Sequence, residues 1–245
     1  MIPAICTGRK GSKGFPKKNL FEVLGKPLSY YPMKAAIDAK SVDRVYMSTD
    51  DEELMKLARD YDVEVIVRDE YLCSDEALSS DVFKHAYDII KKDYDVEMLV
   101  LLMCNAATIT PALIDEGIKV LRENDEIDSA VTVSKYNMWA PPRARRIDKD
   151  GLLKPYIPFE KYPDSINITS NRKSMQDAWF ADMGVSIVKP RCLENLENGL
   201  PPQKWMGQKI YPLKQWGGVD VDYDWQMPHV EYWLKRHIEE KKIHA

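Results

Sequence analysis

Short apolar runs alternate with amphipathic segments over residues 2–134 of this chain. The apolar runs predict buried strands, and the amphipathic segments, several with acids or proline in their first turn, predict helices. Strands that alternate with helices form a mostly parallel sheet covered by helices on both faces, so the predicted fold class is a three-layer α/β structure. The predicted strands are 2–6, 43–50, 63–67, 97–104 and 129–134, and the predicted helices are 28–39, 51–61, 81–92 and 110–123.

The alternation stops between residues 135 and 178, where prolines and aromatic residues are dense and periodicity is weak. It resumes with predicted strands at 184–188 and 218–222 and a predicted helix at 229–242. A chain of 245 residues with 44% apolar content suits one large domain. We therefore predict a single domain over 1–245, with 135–178 as an insertion.

Residues 8–19 follow the first predicted strand and contain three glycines, five cationic side chains and no acid. Glycines allow tight turns that direct backbone N–H groups at an anion, and lysine and arginine add partners for phosphate oxygens. The loop matches neither G-x-x-x-x-G-K-[ST] nor G-x-G-x-x-G, and Pro16 prevents a regular helix from running through it. We interpret it as a polyphosphate cradle; a solvated basic loop is the alternative.

Two carboxylates, Asp220 and Asp222, alternate along the predicted strand 218–222 and should therefore face the same side. Two carboxylates beside a triphosphate form a site for a hard cation, with phosphate oxygens and water completing the coordination. We predict Mg²⁺ there, with Mn²⁺ as a substitute. The alternative is a pair of acids that faces only solvent.

The overall charge and the cysteine pattern exclude several classes of function. A net charge of −4 gives no general positive field for nucleic acid, and the longest apolar run, 98–104, is too short to span a membrane. The four cysteines form no metal-binding pair and are expected to be reduced thiols. We also find no signal-peptide pattern. The expectation is a cytoplasmic protein that binds neither nucleic acid nor membrane.

The basic loop also carries a family resemblance. The pattern Arg9-x-x-Ser12-Lys13-Gly14-x-Pro16-x-Lys18-Asn19, followed by Gly25-Lys26-Pro27-Leu28, resembles the signature of the acylneuraminate cytidylyltransferases. The resemblance implies a Rossmann-like nucleotidyltransferase fold and a reaction of CTP with an acidic sugar that gives a CMP-sugar and pyrophosphate. It also implies a homodimer, in which 135–178 is a dimerisation arm with Trp139, Tyr156 and Phe159 as interface anchors. An insertion packed on its own subunit is the alternative.

The resemblance assigns roles to individual residues. The charge-balancing residues that it implies are Arg9, Lys13 and Lys18, and Asp222 is implied to help deprotonate the sugar hydroxyl. Ser79 is implied to contact nucleotide, although capping of the third helix by Ser79, Ser80 or Asp81 is an equal alternative. The implied nucleotide-binding residues are Gly8, Arg9, Ser12, Lys13, Lys18, Asn19, Ser79 and Asn105; the implied sugar-binding residues are Met103, Asn105, Arg172, Gln176 and Phe180; the implied metal ligands are Asp220 and Asp222.

The chain departs from the family at the end of its central strand. The family pattern is Leu-Gln-Pro-Thr-Ser-Pro-Leu-Arg, and residues 102–109 here place Met103 and Ile109 where that pattern has glutamine and arginine. Asn105 and Thr108 retain polarity. The nucleotide half of the site therefore matches better than the sugar half. This leaves open another nonulosonate, a Kdo-like sugar or a phosphonate as acceptor, a UTP- or GTP-dependent sugar nucleotidyltransferase, or a non-catalytic nucleotide-binding protein.

Overall fold

A computed structural model describes residues 1–11, 13–162, 167–171 and 174–243. The strands in these ranges are β1 (Pro3–Thr7), β2 (Glu22–Val23), β3 (Lys26–Pro27), β4 (Arg44–Thr49), β5 (Glu64–Val67), β6 (Leu99–Met103), β7 (Ser129–Lys135), β8 (Arg145–Ile147), β9 (Leu153–Pro155), β10 (Trp179–Val188) and β11 (Ile210–Gln215). The helices are α1 (Tyr30–Asp38), α2 (Glu52–Asp60), α3 (Ser79–Ile90), α4 (Pro111–Glu123), α5 (Pro190–Glu194) and α6 (Met227–Ile243).

Seven of these strands form the central sheet, in the order β11-β7-β10-β6-β1-β4-β5. The four adjacent strands β6, β1, β4 and β5 are parallel, and β11 is parallel to β7. Strand β10 is antiparallel to both of its neighbours, β6 and β7. β1 lies between β6 and β4, with Ile5 opposite Tyr46 of β4 on one side and Leu101 of β6 on the other. The prediction of a mostly parallel α/β sheet is confirmed.

Helices cover both faces of this sheet, as predicted. Along β1 successive side chains point to opposite faces, so Ala4 and Cys6 pack in one apolar cluster and Ile5 in another. The first cluster also contains buried residues of α1, α2 and α4, and the second contains those of α3 and α5. The sheet is thus the middle of three layers.

A third apolar cluster lies beside the carboxyl edge of the sheet and joins distant parts of the chain. It packs Phe15 of the basic loop, Ala107 after β6 and Val221 between the two predicted metal ligands against α6, where Trp233 is almost fully buried. A shared apolar contact, rather than sheet pairing, therefore brings together the basic loop, the segment after β6 and the acid pair.

The predicted strand at 218–222 is wrong. Residues 218–221 have no regular secondary structure, and the strand of this region is β11, at the edge of the sheet and beginning eight residues earlier. β11 contains Pro212, which cannot donate a ladder hydrogen bond and is tolerated in a sheet only at such an edge. The alternation of Val219 and Val221 with acids reflects one apolar contact face on an irregular segment.

The described part of 135–178 departs from the sheet as an antiparallel ribbon of β8 and β9, with Ile147 opposite Leu153. Both side chains are largely exposed, by 73% and 69%. Trp139, Tyr156 and Phe159 are exposed as well. Across the described residues, none of the helices has the length and apolar character that crossing a membrane requires.

Candidate active site

A cleft of about 270 Å³ opens at the carboxyl edge of the sheet, where β1, β4 and β6 end. Parallel sheets bind ligands at this edge because loops and helix starts converge there. Seven of the residues predicted from the sequence line this cleft: Gly8, Arg9, Lys18, Asn19, Ser79, Met103 and Asn105.

The basic loop leaves β1 at a glycine because there is no space for a side chain. A Cβ at Gly8 would lie 2.8 Å from both Cys104 Sγ and Leu54 Cδ1. The loop then curls back on itself, because the buried Asn19 donates a hydrogen bond from its amide to the Arg9 carbonyl at 3.4 Å. At the end of the loop Lys17 is in the left-handed region, with φ 56°, before a single 3₁₀ turn.

Several cations of this loop form ion pairs with carboxylates. One oxygen of Asp75 lies 2.5 Å from Arg9 Nη2, and the other pairs with Lys13 Nζ. These hydrogen bonds, from Lys13 and then Arg9, hold the pKa of Asp75 below its ordinary value. Lys17 pairs in turn with Glu53 at 3.0 Å. A loop that collects carboxylates in this way also suits the oxygens of a polyphosphate.

The basic loop and the acid pair meet beside the cleft, whose lining includes Lys18 but neither Asp220 nor Asp222. Lys18 Nζ, which is mostly buried, lies 2.7 Å from Asp222 Oδ1. The loop backbone also passes directly against the acid segment, since a Cβ at Gly14 would lie 2.9 Å from the Asp222 carbonyl oxygen. Positive and negative groups 204 residues apart in sequence therefore form one site.

The acid pair fits a divalent cation. Burial raises the pKa of Asp220, and the neighbouring charge of Asp222 raises it further, so the two carboxylates are close enough to repel each other. A cation removes that repulsion. Within the described ranges there is no cluster of three or more histidine, cysteine or acidic side chains suited to a metal. Two carboxylates, with phosphate oxygens and water, match the way Mg²⁺ binds beside nucleotides.

Arg68 is a cleft residue that the sequence analysis did not identify. It follows β5 and is only 8% exposed, and burial lowers the pKa of its guanidinium. Its Nε donates to Ser48 Oγ at 3.0 Å and its Nη2 to the Ser48 carbonyl at 2.7 Å, which fixes it at the cleft wall. The one sequence signal for Arg68 was its position directly after a predicted parallel strand, where ligand-binding residues are common.

The start of α3 confirms the capping alternative for Asp81, and nucleotide contact by Ser79 stays a prediction. The carboxylate of Asp81 accepts a hydrogen bond from the Leu78 N–H at 3.4 Å, so Asp81 caps the helix. Ser79 itself makes no cap hydrogen bond and lies on the cleft wall.

The predicted sugar-binding residues lie in two places. Met103 and Asn105 line the cleft, whereas Gln176 and Phe180 line a separate cavity of about 400 Å³ beside the start of β10. This cavity is mostly apolar and aromatic, and Pro141, Tyr162 and Trp179 also line it. Arg172 and Ser12 lie outside the described residues.

The four thiols are free and give no sign of nucleophilic chemistry. Cys6 and Cys104 are fully buried next to the cleft, and burial raises the pKa of Cys104 to about 12. Burial likewise raises the pKa of Cys73. Burial also raises the pKa of Cys6, and it raises that of Cys192 to about 11, so all four thiols are protonated at neutral pH.

Comparison with known families gives a match over more than half of the chain. The family model described as Cytidylyltransferase matches residues 3–141. That range contains the basic loop, Arg68, Ser79 and the end of β6.

Curated relatives have related names at modest identity. The chain is 31% identical over 136 residues to an N-acylneuraminate cytidylyltransferase of Escherichia coli and 25% identical over 227 residues to one of Oncorhynchus mykiss. It is 37% identical over 93 residues to a pseudaminic acid cytidylyltransferase of Campylobacter jejuni. These alignments cover 56%, 91% and 38% of this chain, but 32%, 48% and 40% of the relatives. The chain thus spans half or less of their length.

Two solved structures share the fold across nearly the whole chain. A CMP:2-keto-3-deoxy-manno-octonic acid synthetase complexed with CTP superposes with a TM-score of 0.69 at 14% identity, over 96% of this chain and 99% of that chain. A 4-diphosphocytidyl-2C-methyl-D-erythritol synthase of Anaerococcus prevotii gives 0.62 at 14% identity, with 96% of each chain covered. The predicted Rossmann-like nucleotidyltransferase fold is confirmed.

Proposed function

Because this chain belongs to the cytidylyltransferase family, we propose that it transfers the cytidylyl group of CTP to an acidic sugar, giving a CMP-sugar and pyrophosphate. The observation that carries the proposal is the contact between Lys18 and Asp222, which joins the basic loop to the acid pair beside the cleft. A polyphosphate needs the cations, and the metal that accompanies it needs the acids.

In the proposed reaction a sugar hydroxyl oxygen attacks the α-phosphorus of CTP. An oxygen–phosphorus bond forms, the bond from the α-phosphorus to the bridging oxygen breaks, and pyrophosphate leaves with that electron pair. Arg9, Lys13 and Lys18 balance the charge of the triphosphate and of the departing pyrophosphate, and the hydroxyl proton passes to a carboxylate of the acid pair, for which we propose Asp222. Positioning and electrostatics supply most of the catalysis in such transfers.

The proposed cofactor is Mg²⁺, held by Asp220 and Asp222, with Mn²⁺ as a substitute. When bound, it would draw negative charge from the α-phosphate and the leaving pyrophosphate. Within the unliganded protein Lys18 already neutralises Asp222, so the lysine would turn to phosphate oxygens as the cation enters. Arg68 and Asn19 complete the proposed nucleotide site.

The names of the curated relatives support an acidic sugar as the acceptor, since they include N-acylneuraminate and pseudaminic acid enzymes. Met103 offers no hydrogen bond at the cleft wall where the family pattern has glutamine, which favours an acceptor with different polar groups. A different nonulosonate is our first choice. A Kdo-like sugar or a phosphonate remains the alternative within the same chemistry.

We propose a homodimer built on the insertion, because Trp139, Tyr156 and Phe159 present exposed aromatic surface there. The separate cavity lined by Gln176 and Phe180 lies on the same segment. The four free thiols support a reducing compartment, and so a cytoplasmic location.

The test measures pyrophosphate release with each of the four NTPs, Mg²⁺ and a panel of nonulosonates, Kdo and phosphonates. CTP with at least one acidic acceptor should turn over. Lys18→Ala and Asp222→Asn should each lower turnover by about 10²–10³-fold with folding intact. Lys34→Ala, which removes a cation from an exposed pair on α1, is the control and should stay within about twofold. CTP binding without turnover on any acceptor would instead favour a non-catalytic nucleotide-binding protein.

A further inference from the structure

Asp220 and Asp222 sit on a segment without sheet pairing, so something else must fix their positions. The side chain of Thr108, fully buried after β6, supplies one bridge. Its hydroxyl oxygen accepts a hydrogen bond from the Val219 N–H at 2.9 Å and donates to the Val219 carbonyl at 3.2 Å. Both backbone polar groups of the residue before Asp220 are thus held by one hydroxyl.

Asn105 supplies a second bridge two residues further along. Its side-chain amide donates to the Val221 carbonyl at 2.9 Å, and its own backbone carbonyl accepts from the Val221 N–H at 2.9 Å. Val221 is the residue between the two aspartates. Val219 and Val221, the alternate residues of this segment, are therefore hydrogen-bonded to the chain that follows β6.

The start of the segment is anchored independently. The Gly218 N–H donates to Ser134 Oγ at 2.8 Å, and the Tyr136 hydroxyl donates to the Gly218 carbonyl at 2.7 Å. Buried Asp182 accepts from the same Ser134 hydroxyl, and its carboxylate would lie 2.1 Å from a Cβ at Gly218. With this end fixed, the Thr108 and Asn105 bridges hold the residues before and between the acids, while Gln226 accepts a hydrogen bond from the Asp222 N–H at 2.7 Å.

We propose that Asn105 and Thr108 are positioning residues that hold Asp220 and Asp222 in the arrangement that takes a divalent cation. The inference rests on the proposed function for the identity of the site. It changes the role expected of Asn105, whose amide is engaged with the acid segment rather than free for substrate. It also gives a reason for Thr108 within residues 102–109, because the leucine that the family pattern has at this position could make neither hydrogen bond.

The test measures Mn²⁺ binding in the presence of CTP by electron paramagnetic resonance. This measurement needs no sugar acceptor. Thr108→Val keeps the side-chain shape without the hydroxyl, and Asn105→Ala removes the amide. Each should weaken Mn²⁺ binding by about tenfold or more, as loss of groups that orient metal ligands generally does. Thr108→Ser retains the hydroxyl and should restore binding to within about threefold of the wild type. CTP binding measured in EDTA should change less than about twofold in both Thr108 variants.

Thr110→Val is the matched control, since Thr110 caps α4 by accepting from the Leu113 N–H and makes no bridge to the acid segment. It should lower the melting temperature while leaving Mn²⁺ binding unchanged. Wild-type Mn²⁺ affinity in folded Thr108→Val and Asn105→Ala would overturn the inference, and so would a loss of CTP binding in EDTA by Thr108→Val that equals its loss of Mn²⁺ binding. A wild-type protein that binds no Mn²⁺ with CTP would contradict the proposed function instead.

Discussion

Asp75 bridges two cations of the basic loop, Arg9 and Lys13, at the position where we propose that phosphate oxygens bind. The carboxylate therefore competes with the triphosphate for the same partners. Asp75→Asn should tighten CTP binding two- to fivefold, the range that exposed ion pairs support. Isothermal titration calorimetry in EDTA measures this directly. Glu53→Gln, which frees Lys17 on the outer side of the loop, is the control and should leave the affinity unchanged.

Beside the cleft, the fold holds Asp220 at a cost in stability. Its pKa is raised by burial and by Asp222, so its ionised form is disfavoured in the folded protein. Its stabilising contribution is present below the unfolded pKa and is lost as pH rises through the folded pKa. At neutral pH without metal, Asp220→Asn should therefore raise the melting temperature by roughly 2–4 °C, the shift that about 1 kcal/mol gives in a protein of this size.

Differential scanning calorimetry in EDTA checks this prediction, and replacing EDTA with Mn²⁺ in the presence of CTP should stabilise the wild type further but not the variant. A variant that melts below the wild type in EDTA would contradict the account of Asp220.

Single residues show what a sequence can and cannot give about such a site. Lys18 and Asn19 were predictable because the loop has a compact motif. Arg68 belongs to no motif, and only its position after β5 relative to β1 and β4 brings it to the cleft. The role of Asn105 also depended on tertiary contacts, because its partner Val221 is 116 residues away.

At the scale of elements, Asp128 joins β7 to the chain before β11 at the edge opposite the cleft. It accepts hydrogen bonds from the backbone N–H groups of Gln208 and Lys209, each at 2.9 Å, and from Arg191 Nε at 2.8 Å. Burial alone would raise the pKa of Asp128, but these three donors outweigh it and lower the pKa. A carboxylate so placed stabilises the fold in its ionised form.

Asp128→Ala should therefore lower the free energy of unfolding by about 3 kcal/mol at pH 7. A lowered folded pKa gives stability that is present above the unfolded value, about 3.9, and is lost as pH falls through the folded value. The difference from the wild type should shrink in that acidic range. Urea unfolding at pH 7 and pH 3 measures it. Asp125→Ala, which removes an exposed neighbouring carboxylate, should change stability by under about 0.5 kcal/mol.

The elements also show why β11 was not predicted while a strand at 218–222 was. Pro212 lowers the strand signal of β11, and only its place at the sheet edge makes it acceptable. The segment 218–222 has period-two alternation, but its hydrogen bonds go to side chains such as Thr108. A periodic pattern indicates which side chains are buried. It does not indicate which groups form hydrogen bonds with the backbone.

At the scale of the whole molecule, the exposed ribbon predicts association. Ile147 and Leu153 lie opposite each other on it and are largely exposed. Replacing both with aspartate should raise the dimer dissociation constant at least about tenfold, since a charged pair cannot be buried at an apolar contact. Sedimentation velocity at micromolar concentration gives the measurement. Val67→Asp, also on an exposed apolar side chain but at the sheet edge, should leave the sedimentation coefficient unchanged.

The architecture was the most predictable level, because strand–helix alternation is written in the periodicity of residues 2–134. The insertion was predictable only as a break, since 135–178 has too few regular repeats to define its ribbon. The separation of Gln176 and Phe180 from the cleft depends on how that insertion packs, and no local pattern in the chain encodes it.

Lys18 and Asp222 lie 204 residues apart and form one contact. During synthesis on the ribosome the chain therefore emerges with its cations long before their acidic counterpart. A nascent chain stalled before residue 218 would contain the basic loop but neither Asp220 nor Asp222. The proposed active site would be complete only once the segment held by Thr108 and Asn105 has left the exit tunnel.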